Sequence, residues 1–210
     1  MTTSSAWMRA RVLALTGLAF AAAQTASAAF IMSEFAADDE GWTSNVDAEQ
    51  TSEPRAGNDT GYLLISGNGA ITPEAWAASK FLGNKAFAIG GEFSFLANVV
   101  DPPLAHSLTM YTASVTLISG GDSVTIDFAP RRDLVRTWGE FSVDLTASAW
   151  GLTNGEFSAI MGNLTDIRLS VTSSTGAPVD LGFDNIAMTP TPGAAALMLI
   201  AGPALLRRRR

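Results

Sequence analysis

Acidic and amide side chains are concentrated near both ends of the chain's central region. Near its beginning lie Glu34, Asp38, Asp39 and Glu40, and near its end lie Asp184 and Asn185. Calcium is bound by about six to eight oxygen atoms from carboxylates, amides and backbone carbonyls. If the two ends meet, the sequence predicts a structural calcium site with Glu34, Asp38, Asp184 and Asn185. No segment has the spacing of an EF-hand loop, so the alternative is a solvated acidic loop and a turn supported by Asp184 and Asn185.

Tryptophan side chains are the second candidate for a binding site. Four of them lie within the central region: Trp42, Trp76, Trp138 and Trp150. Aromatic faces stack on sugar rings when polar neighbours bind the hydroxyl groups, but a domain of this size also needs large apolar residues in its core. We therefore expect most of them to be core residues. Trp76, in the irregular stretch 70–78 beside Pro73 and Glu74, is the predicted ligand platform.

The side chains that carry most enzyme chemistry are scarce. The chain contains no cysteine and one histidine, His106, which lies in a proline-rich turn without a Gly-x-Ser-x-Gly motif nearby. Twenty acidic residues make chance carboxylate pairs unavoidable, so such pairs do not indicate a glycosidase. The cluster Arg131, Arg132, Asp133 and Arg136 fits either a phosphate or uronate site or an internal salt-bridged connection, and we favour the connection. We predict a protein that is not an enzyme.

The charge distribution excludes nucleic acid as a partner. All twenty acidic residues lie between residues 29 and 189, whereas six of the thirteen basic residues lie at the ends, at Arg9, Arg11 and residues 207–210. The central region therefore keeps seven basic residues and a net charge of about −13. Such a surface repels nucleic acid and anionic lipid.

The N-terminal segment, residues 1–28, has the layout of a secretory signal peptide. Arg9 and Arg11 precede an apolar run at residues 12–23, and Ala26, Ser27 and Ala28 form a small-x-small cleavage site. We expect cleavage after Ala28. A retained membrane anchor is the alternative, but the apolar run is short of the ~20 residues that span a bilayer.

The C-terminal segment, residues 190–210, has the layout of a second sorting signal. Pro190, Thr191 and Pro192 precede an apolar run at 194–206 and four terminal arginines, which indicate a cytoplasmic end. This arrangement resembles the PEP-CTERM sorting signal of exported bacterial proteins, in which the motif is Pro-Glu-Pro; here Thr191 is the middle residue. The resemblance implies processing by an exosortase-like membrane protease, and a plain C-terminal membrane anchor is the alternative.

Between these segments, residues 29–189 show short alternating strands. Turn signals recur every ~8–12 residues, and strands at 108–118 and 123–128 flank Gly120-Gly121 as in a β-hairpin. One short amphipathic helical segment is predicted at 156–163, and residues 44–60 are predicted as a long loop. Strands are also predicted at 29–35, 62–66, 86–99, 139–145, 166–172 and 179–188. This pattern predicts an all-β antiparallel sandwich or barrel.

The order of aromatic and glycine signals resembles the laminin B (laminin IV type A) domain across most of residues 30–188. The matching segments are Gly41-Trp42, Gly61-Tyr62-Leu63, Trp76 with residues 80–84, Gly91-Glu92-Phe93-Ser94-Phe95, residues 157–169 and Gly182-Phe183-Asp184-Asn185-Ile186. The resemblance implies a jelly-roll β-sandwich akin to carbohydrate-binding modules, with first and last strands side by side and a structural calcium ion between them. It also implies an extracellular, non-catalytic module.

The functional expectation is an exported protein, sorted to the surface or held on the membrane by its C-terminal segment. It would bind a polysaccharide or extracellular-matrix ligand, or act in adhesion. The rival is a purely structural envelope or matrix component without a small ligand, and a glycan-active hydrolase is a remote third.

Overall fold

The computed structural model describes residues 30–46, 48–51, 61–67, 71–101, 108–177 and 179–191. The predicted signal segment, the apolar C-terminal run and His106 lie outside the described residues. In the described ranges, no helix is long and apolar enough to cross a membrane.

The described chain forms eleven strands and one α-helix. In chain order these are β1 (Ile31–Ser33), β2 (Thr43–Ser44), β3 (Ala48–Thr51), β4 (Tyr62–Ile65), β5 (Glu74–Trp76), β6 (Glu92–Asp101), β7 (Tyr111–Ser119), β8 (Asp122–Asp127), β9 (Gly139–Asp144), α1 (Asn154–Gly162), β10 (Asp166–Ser173) and β11 (Asp180–Thr189). Two 3-10 turns, Ser79–Phe81 and Ala86–Ala88, precede β6.

The strands form two antiparallel sheets that pack face to face. The six-stranded sheet has the order β3-β4-β11-β6-β9, with β1 also paired to β11, and the five-stranded sheet has the order β2-β5-β10-β7-β8. Since β6 occupies one edge of β11, β1 and β4 lie end to end along its other edge. The predicted all-β antiparallel sandwich, and the neighbouring first and last strands, are confirmed.

The core lies between the sheets because strand side chains alternate between two faces. On β6, Phe93, Phe95, Ala97 and Val99 are fully buried in the core. Phe95 is central to it, with its ring centroid 5.3–6.2 Å from those of Phe93, Phe128, Phe141 and Phe183. The intervening residues of β6 face away from the core, and two of them, Ser94 and Leu96, line a surface groove.

The predicted hairpin and helix are both present. Gly120, with φ +60°, and Gly121 form the turn between β7 and β8. Helix α1 begins with a reciprocal cap, because Thr153 Oγ1 accepts from the N–H of Glu156, and Glu156 Oε2 accepts from the N–H of Thr153. The helix buries Phe157, Ile160 and Met161.

Three short strands were not predicted. β2 and β3 fall partly or wholly in the stretch predicted as a loop, and β5 falls in the stretch predicted as irregular. Their sequences are short and mostly polar. They form strands because neighbouring strands supply their hydrogen-bond partners: β3 pairs with β4, β5 pairs with β10, and β2 pairs with β5. A local pattern does not report such pairing.

Candidate functional site

The acidic loop after β1 uses its own carboxylates to hold its backbone. Asp38 Oδ1 accepts from the N–H of Glu40 at 2.8 Å, and Asp39 Oδ1 accepts from the N–H of Gly41 at 2.9 Å. Such bonds between an aspartate and the backbone two residues later stabilise turns. Glu34 is exposed, and Asp38 and Asp39 stabilise the loop.

Glu40 is the most strongly engaged of these acids. Its Oε1 accepts from the N–H groups of Glu34 and Phe35 at 2.9 and 2.8 Å, and its Oε2 pairs with Lys80. Burial alone would raise the pKa of Glu40, but the hydrogen bonds from Lys80 and the two backbone N–H groups outweigh it and lower the pKa below 4.5. Because the folded-state pKa is lowered, this stabilisation is present above pH 4.5 and is lost as the pH falls through the lowered value.

Asp184 and Asn185 lie at a β-bulge in β11. Asp184 pairs with Leu96 and Ala187 pairs with Ser94, so Asn185 and Ile186 together oppose one residue of β6. Asn185 has φ +48°, a conformation that asparagine tolerates better than most residues. The bulge turns Ile186 into the core, leaves Asp184 fully buried and places Asn185 in a surface groove.

The predicted calcium ligands do not gather into one set. Among the residues that the structure describes, no three acidic or histidine side chains are grouped so that they could hold a metal ion. Glu34, Asp38 and Asp184 therefore do not fit a shared three-carboxylate site, and any ion there would depend on amide and backbone oxygens. Calcium binding stays a prediction from the resemblance.

If calcium is bound, EDTA should lower the melting temperature by several degrees, because an ion that binds only the folded state stabilises that state. Asp184→Asn should remove this sensitivity, whereas Asp127→Asn, at an exposed carboxylate, should retain it. Thermal melts with EDTA or with added calcium measure both. An identical melting temperature in the two conditions contradicts calcium binding.

A groove of about 370 Å³ crosses the outer face of the six-stranded sheet. Its walls combine apolar and polar side chains from four strands and the residue before β1: Phe30, Met32, Ser94, Leu96, Glu140, Asn185, Ala187 and Thr189. Phe30 is 59% exposed. An exposed aromatic ring beside carboxylate, amide and hydroxyl groups is a combination that suits a sugar chain.

A buried polar cluster lies beside this groove on the same face. Asn98 and Trp138 lie two residues from the groove residues Leu96 and Glu140 along β6 and the segment entering β9. Asn98 is 1% exposed, and its Oδ1 and the Nε1 of half-buried Trp138 have no hydrogen-bond partner among the described residues. Buried polar atoms normally have partners, so this acceptor and donor are candidate contacts for the polar groups of a ligand.

Two aromatic rings shape this cluster. Tyr62 and Trp138 meet edge to face with ring centroids 5.4 Å apart, above Gly182. A β-carbon on Gly182 would lie 3.0 Å from an atom of each ring. Since Gly182 is the direct neighbour of Asn98 across the sheet, glycine here lets both rings approach the amide.

Trp76 lies on the opposite side of the molecule, at the end of β5 in the five-stranded sheet. The Arg168 guanidinium stacks 5.3 Å from its ring centre, and its Nε1 donates to Glu74 Oε2 at 3.2 Å. Arg168 also pairs with Glu74 and Asp166 at 3.4 and 2.9 Å. Trp76 is thus half-buried in an ion-pair network, and its role as a ligand platform stays a prediction.

The remaining tryptophans divide between core and site. Trp42 and Trp150 are buried, and their Nε1 atoms donate to Ser33 Oγ and to the Asp144 carbonyl at 2.9 and 3.0 Å, so their interpretation as core residues is confirmed. Trp138 lies on the outer face of the sheet. Tyr62 and Asn98 were not among the predicted site residues; the signal for Asn98 was its polar side chain between core positions 97 and 99.

The model of the laminin B (domain IV) family matches residues 75–195, more than half of the 210-residue chain. No curated protein matches the sequence. Both strands that carry Asn98 and Asn185 lie within the matched region.

Solved structures share the sandwich fold at low sequence identity. An exo-β-agarase has a TM-score of 0.56 at 12% identity over 78% of this chain and 25% of its own. The tandem CBM22 domains of Paenibacillus barcinonensis Xyn10C have a TM-score of 0.50 at 14% identity over 77% of this chain and 48% of their own. The L4b domain of human laminin α-2 has a TM-score of 0.43 at 13% identity over 58% of this chain and 71% of its own. The chain spans about a quarter of the agarase and half of the tandem domain.

Proposed function

Because this chain belongs to the laminin B (domain IV) family, we propose that it is a non-catalytic module that binds polysaccharide outside the cytoplasmic membrane. The ligand would occupy the groove on the outer face of the six-stranded sheet. The rival hypothesis is a structural matrix component without a small ligand, and a glycan-active hydrolase is the third.

The observation that carries this proposal is the buried pair of Asn98 Oδ1 and Trp138 Nε1. An acceptor and a donor beside aromatic rings offer both kinds of contact that a sugar needs, hydrogen bonds to hydroxyls and packing against the ring face. Leaving such groups buried without partners costs about 1–3 kcal/mol each. A ligand that satisfies them recovers this cost, which favours binding over a purely structural role.

The proposal of a non-catalytic role rests on the chemistry of the groove. Among the described residues that line the groove, Glu140 is the one carboxylate, and hydrolysis of a glycosidic bond uses two opposed carboxyl groups. The agarase and the Xyn10C tandem domain show likeness of fold alone, since fold does not determine function.

The proposal of export rests on the two end segments. The signal segment directs secretion, and the C-terminal segment holds the domain at the membrane until an exosortase-like protease processes it or as a lasting anchor. The mass of the mature chain distinguishes these cases, because processing removes the terminal arginines and a retained anchor keeps Arg210.

Binding to polysaccharides is expected to depend on Trp138. In affinity electrophoresis of the protein through gels containing xylan, agarose or polygalacturonate, at least one polymer should retard it. Trp138→Ala should weaken that binding by about 2 kcal/mol, roughly thirtyfold in Kd, as expected for an aromatic anchor. Asn98→Ala should weaken it in the same direction.

Trp76→Ala is the matched control, because it removes the same side chain from the opposite sheet. It should leave retardation unchanged, and circular dichroism should show that both variants are folded. Loss of binding in Trp76→Ala alone would move the site to the five-stranded sheet. No retardation by any polymer would favour the structural role.

A further inference from the structure

The basic residues of this acidic domain are concentrated in one loop. Of the seven basic residues between positions 29 and 189, three lie within residues 131–136. At physiological ionic strength the Debye length is about 8 Å, so a bound group near this loop is affected mainly by the charges in its immediate surroundings. The distant carboxylates that make the domain acidic are largely screened there.

This basic loop is attached to the strand that carries Asn98. The N–H of Val99 donates to the Leu134 carbonyl, and the N–H of Arg136 donates to the Val99 carbonyl, both at 2.9 Å. Val99 is the direct neighbour of Asn98. Arg136 and Trp138 are two residues apart, so their Cα atoms are separated by at most about 7 Å. The loop therefore forms one border of the Asn98–Trp138 cluster.

The three arginines of the loop have different roles. Arg131 is structural, because it forms an ion pair with Asp133 at 2.7 Å and stacks 5.5 Å from the ring centre of Phe141. This confirms the predicted salt-bridged connection for Arg131. In contrast, Arg132 and Arg136 are exposed and have no ion-pair partner among the residues that the structure describes. Arg132 Nε donates to Met110 Sδ at 3.0 Å, which leaves its charge without an opposite charge.

Arg136 also adopts a backbone conformation that is unusual for its residue type. Its φ is +54°, in the left-handed region that costs a non-glycine residue about 1 kcal/mol. The hydrogen bond from its N–H to Val99 holds this conformation. The backbone of Arg136 thus lies next to the strand that carries Asn98, and its guanidinium has no ion-pair partner among the described residues. This charge is available to an anionic group bound at the neighbouring cluster.

We propose that the ligand of the Asn98–Trp138 site is an acidic polysaccharide, and that Arg132 and Arg136 bind its anionic groups. This inference rests on the proposed function and specifies its substrate class. Guanidinium groups bind carboxylates and sulfates through paired charge-assisted hydrogen bonds. Uronate and sulfate esters share this chemistry, and neutral xylan or agarose lacks it. Glu140, further along the groove, accepts hydrogen bonds from sugar hydroxyls.

The test compares polymers of different charge in the same gel assay on the full chain at about 0.15 M salt. Polygalacturonate supplies carboxylates, dextran sulfate supplies sulfates, and xylan is the neutral comparison. Polygalacturonate or dextran sulfate should bind more tightly than xylan. The double variant Arg132→Gln/Arg136→Gln should weaken binding to the anionic polymer about tenfold or more and leave binding to xylan unchanged.

Lys85→Gln is the control for loss of positive charge. Lys85 precedes β6, whereas the basic loop contacts β6 near its other end, and Lys85 has no ion-pair partner among the described residues. It should leave every affinity unchanged. If xylan binds as tightly as polygalacturonate and dextran sulfate or more tightly, and the double variant binds all three polymers as the unaltered protein does, this inference is overturned. The proposed function then remains intact. No binding of any polymer would overturn both.

Discussion

Phe95→Ala is expected to lower the free energy of unfolding by about 4 kcal/mol. Phe95 is 1% exposed and packs against rings from both sheets: Phe93, Phe141 and Phe183 belong to the six-stranded sheet, and Phe128 follows β8 of the other. Removing its ring loses the burial of apolar surface and leaves a cavity that these neighbours cannot fill without disturbing their own packing.

Urea unfolding followed by tryptophan fluorescence measures this loss. Phe30→Ala is the matched control, because it deletes the same ring from a residue that is 59% exposed, and it should change the free energy of unfolding by less than about 0.5 kcal/mol. A loss below about 1 kcal/mol in Phe95→Ala would show that Phe95 does not join the two sheets as described.

Gly91→Ala is expected to destabilise the fold by about 3 kcal/mol through a backbone collision. A β-carbon at this position would lie 1.8 Å from the carbonyl oxygen of Thr189 and 2.8 Å from the carbonyl carbon of Pro190. Both are main-chain atoms at the end of β11, so no side-chain rotation relieves the contact. The last residues of β11 would have to move away from β6.

This collision has a second consequence at the exit of the C-terminal segment. Thr191 Oγ1 donates to the Ile89 carbonyl at 3.4 Å, beside the Gly90-Gly91 turn. If β11 is displaced, the chain around Pro190 loses this contact, and proteinase K should cut it faster than in the unaltered protein. Thermal melting and timed proteolysis followed by mass spectrometry measure the two effects.

Gly121→Ala is the control for Gly91→Ala. No atom lies within 4 Å of a β-carbon at Gly121, and its φ is outside the left-handed region. We expect a change in melting temperature of no more than a degree or two. Equal destabilisation of the two variants would show that the cost arises from loss of glycine and not from contact with Thr189.

The larger strands were predictable because each buries one face. Alternating apolar residues in β6, β9 and β10 indicated their positions, and Gly120-Gly121 indicated the hairpin. The order of aromatic and glycine signals also indicated the laminin B family, which the family model confirms over residues 75–195. The short strands β2, β3 and β5 lack a pattern of their own, so local sequence did not reveal them.

The site was predicted only in part. Asn185 was chosen as a calcium ligand, and it lines the groove on the sheet's outer face. The spacing of apolar residues in β11 carried the signal for the bulge, since Phe183 and Ile186 are three apart where strict alternation requires two. Asn98 and Tyr62 were missed. The polar side chain of Asn98 between core positions 97 and 99 indicates an outward-facing residue but does not distinguish a site from an ordinary surface, and an aromatic residue such as Tyr62 inside a strand does not distinguish a site from ordinary packing.

The sequence by itself determined the class of fold, the acidic charge and the scarcity of catalytic side chains, because these follow from composition and from periodicity along one segment. Only the tertiary structure decided which acids stabilise the loop after β1, which tryptophan lies beside the groove, and which arginines have no ion-pair partner among the described residues. Each of these depends on contacts between residues far apart in the chain, such as Gly182 with Trp138 and Val99 with Arg136. Such contacts are set by the register of paired strands and the position of a bulge, and no single segment contains that information.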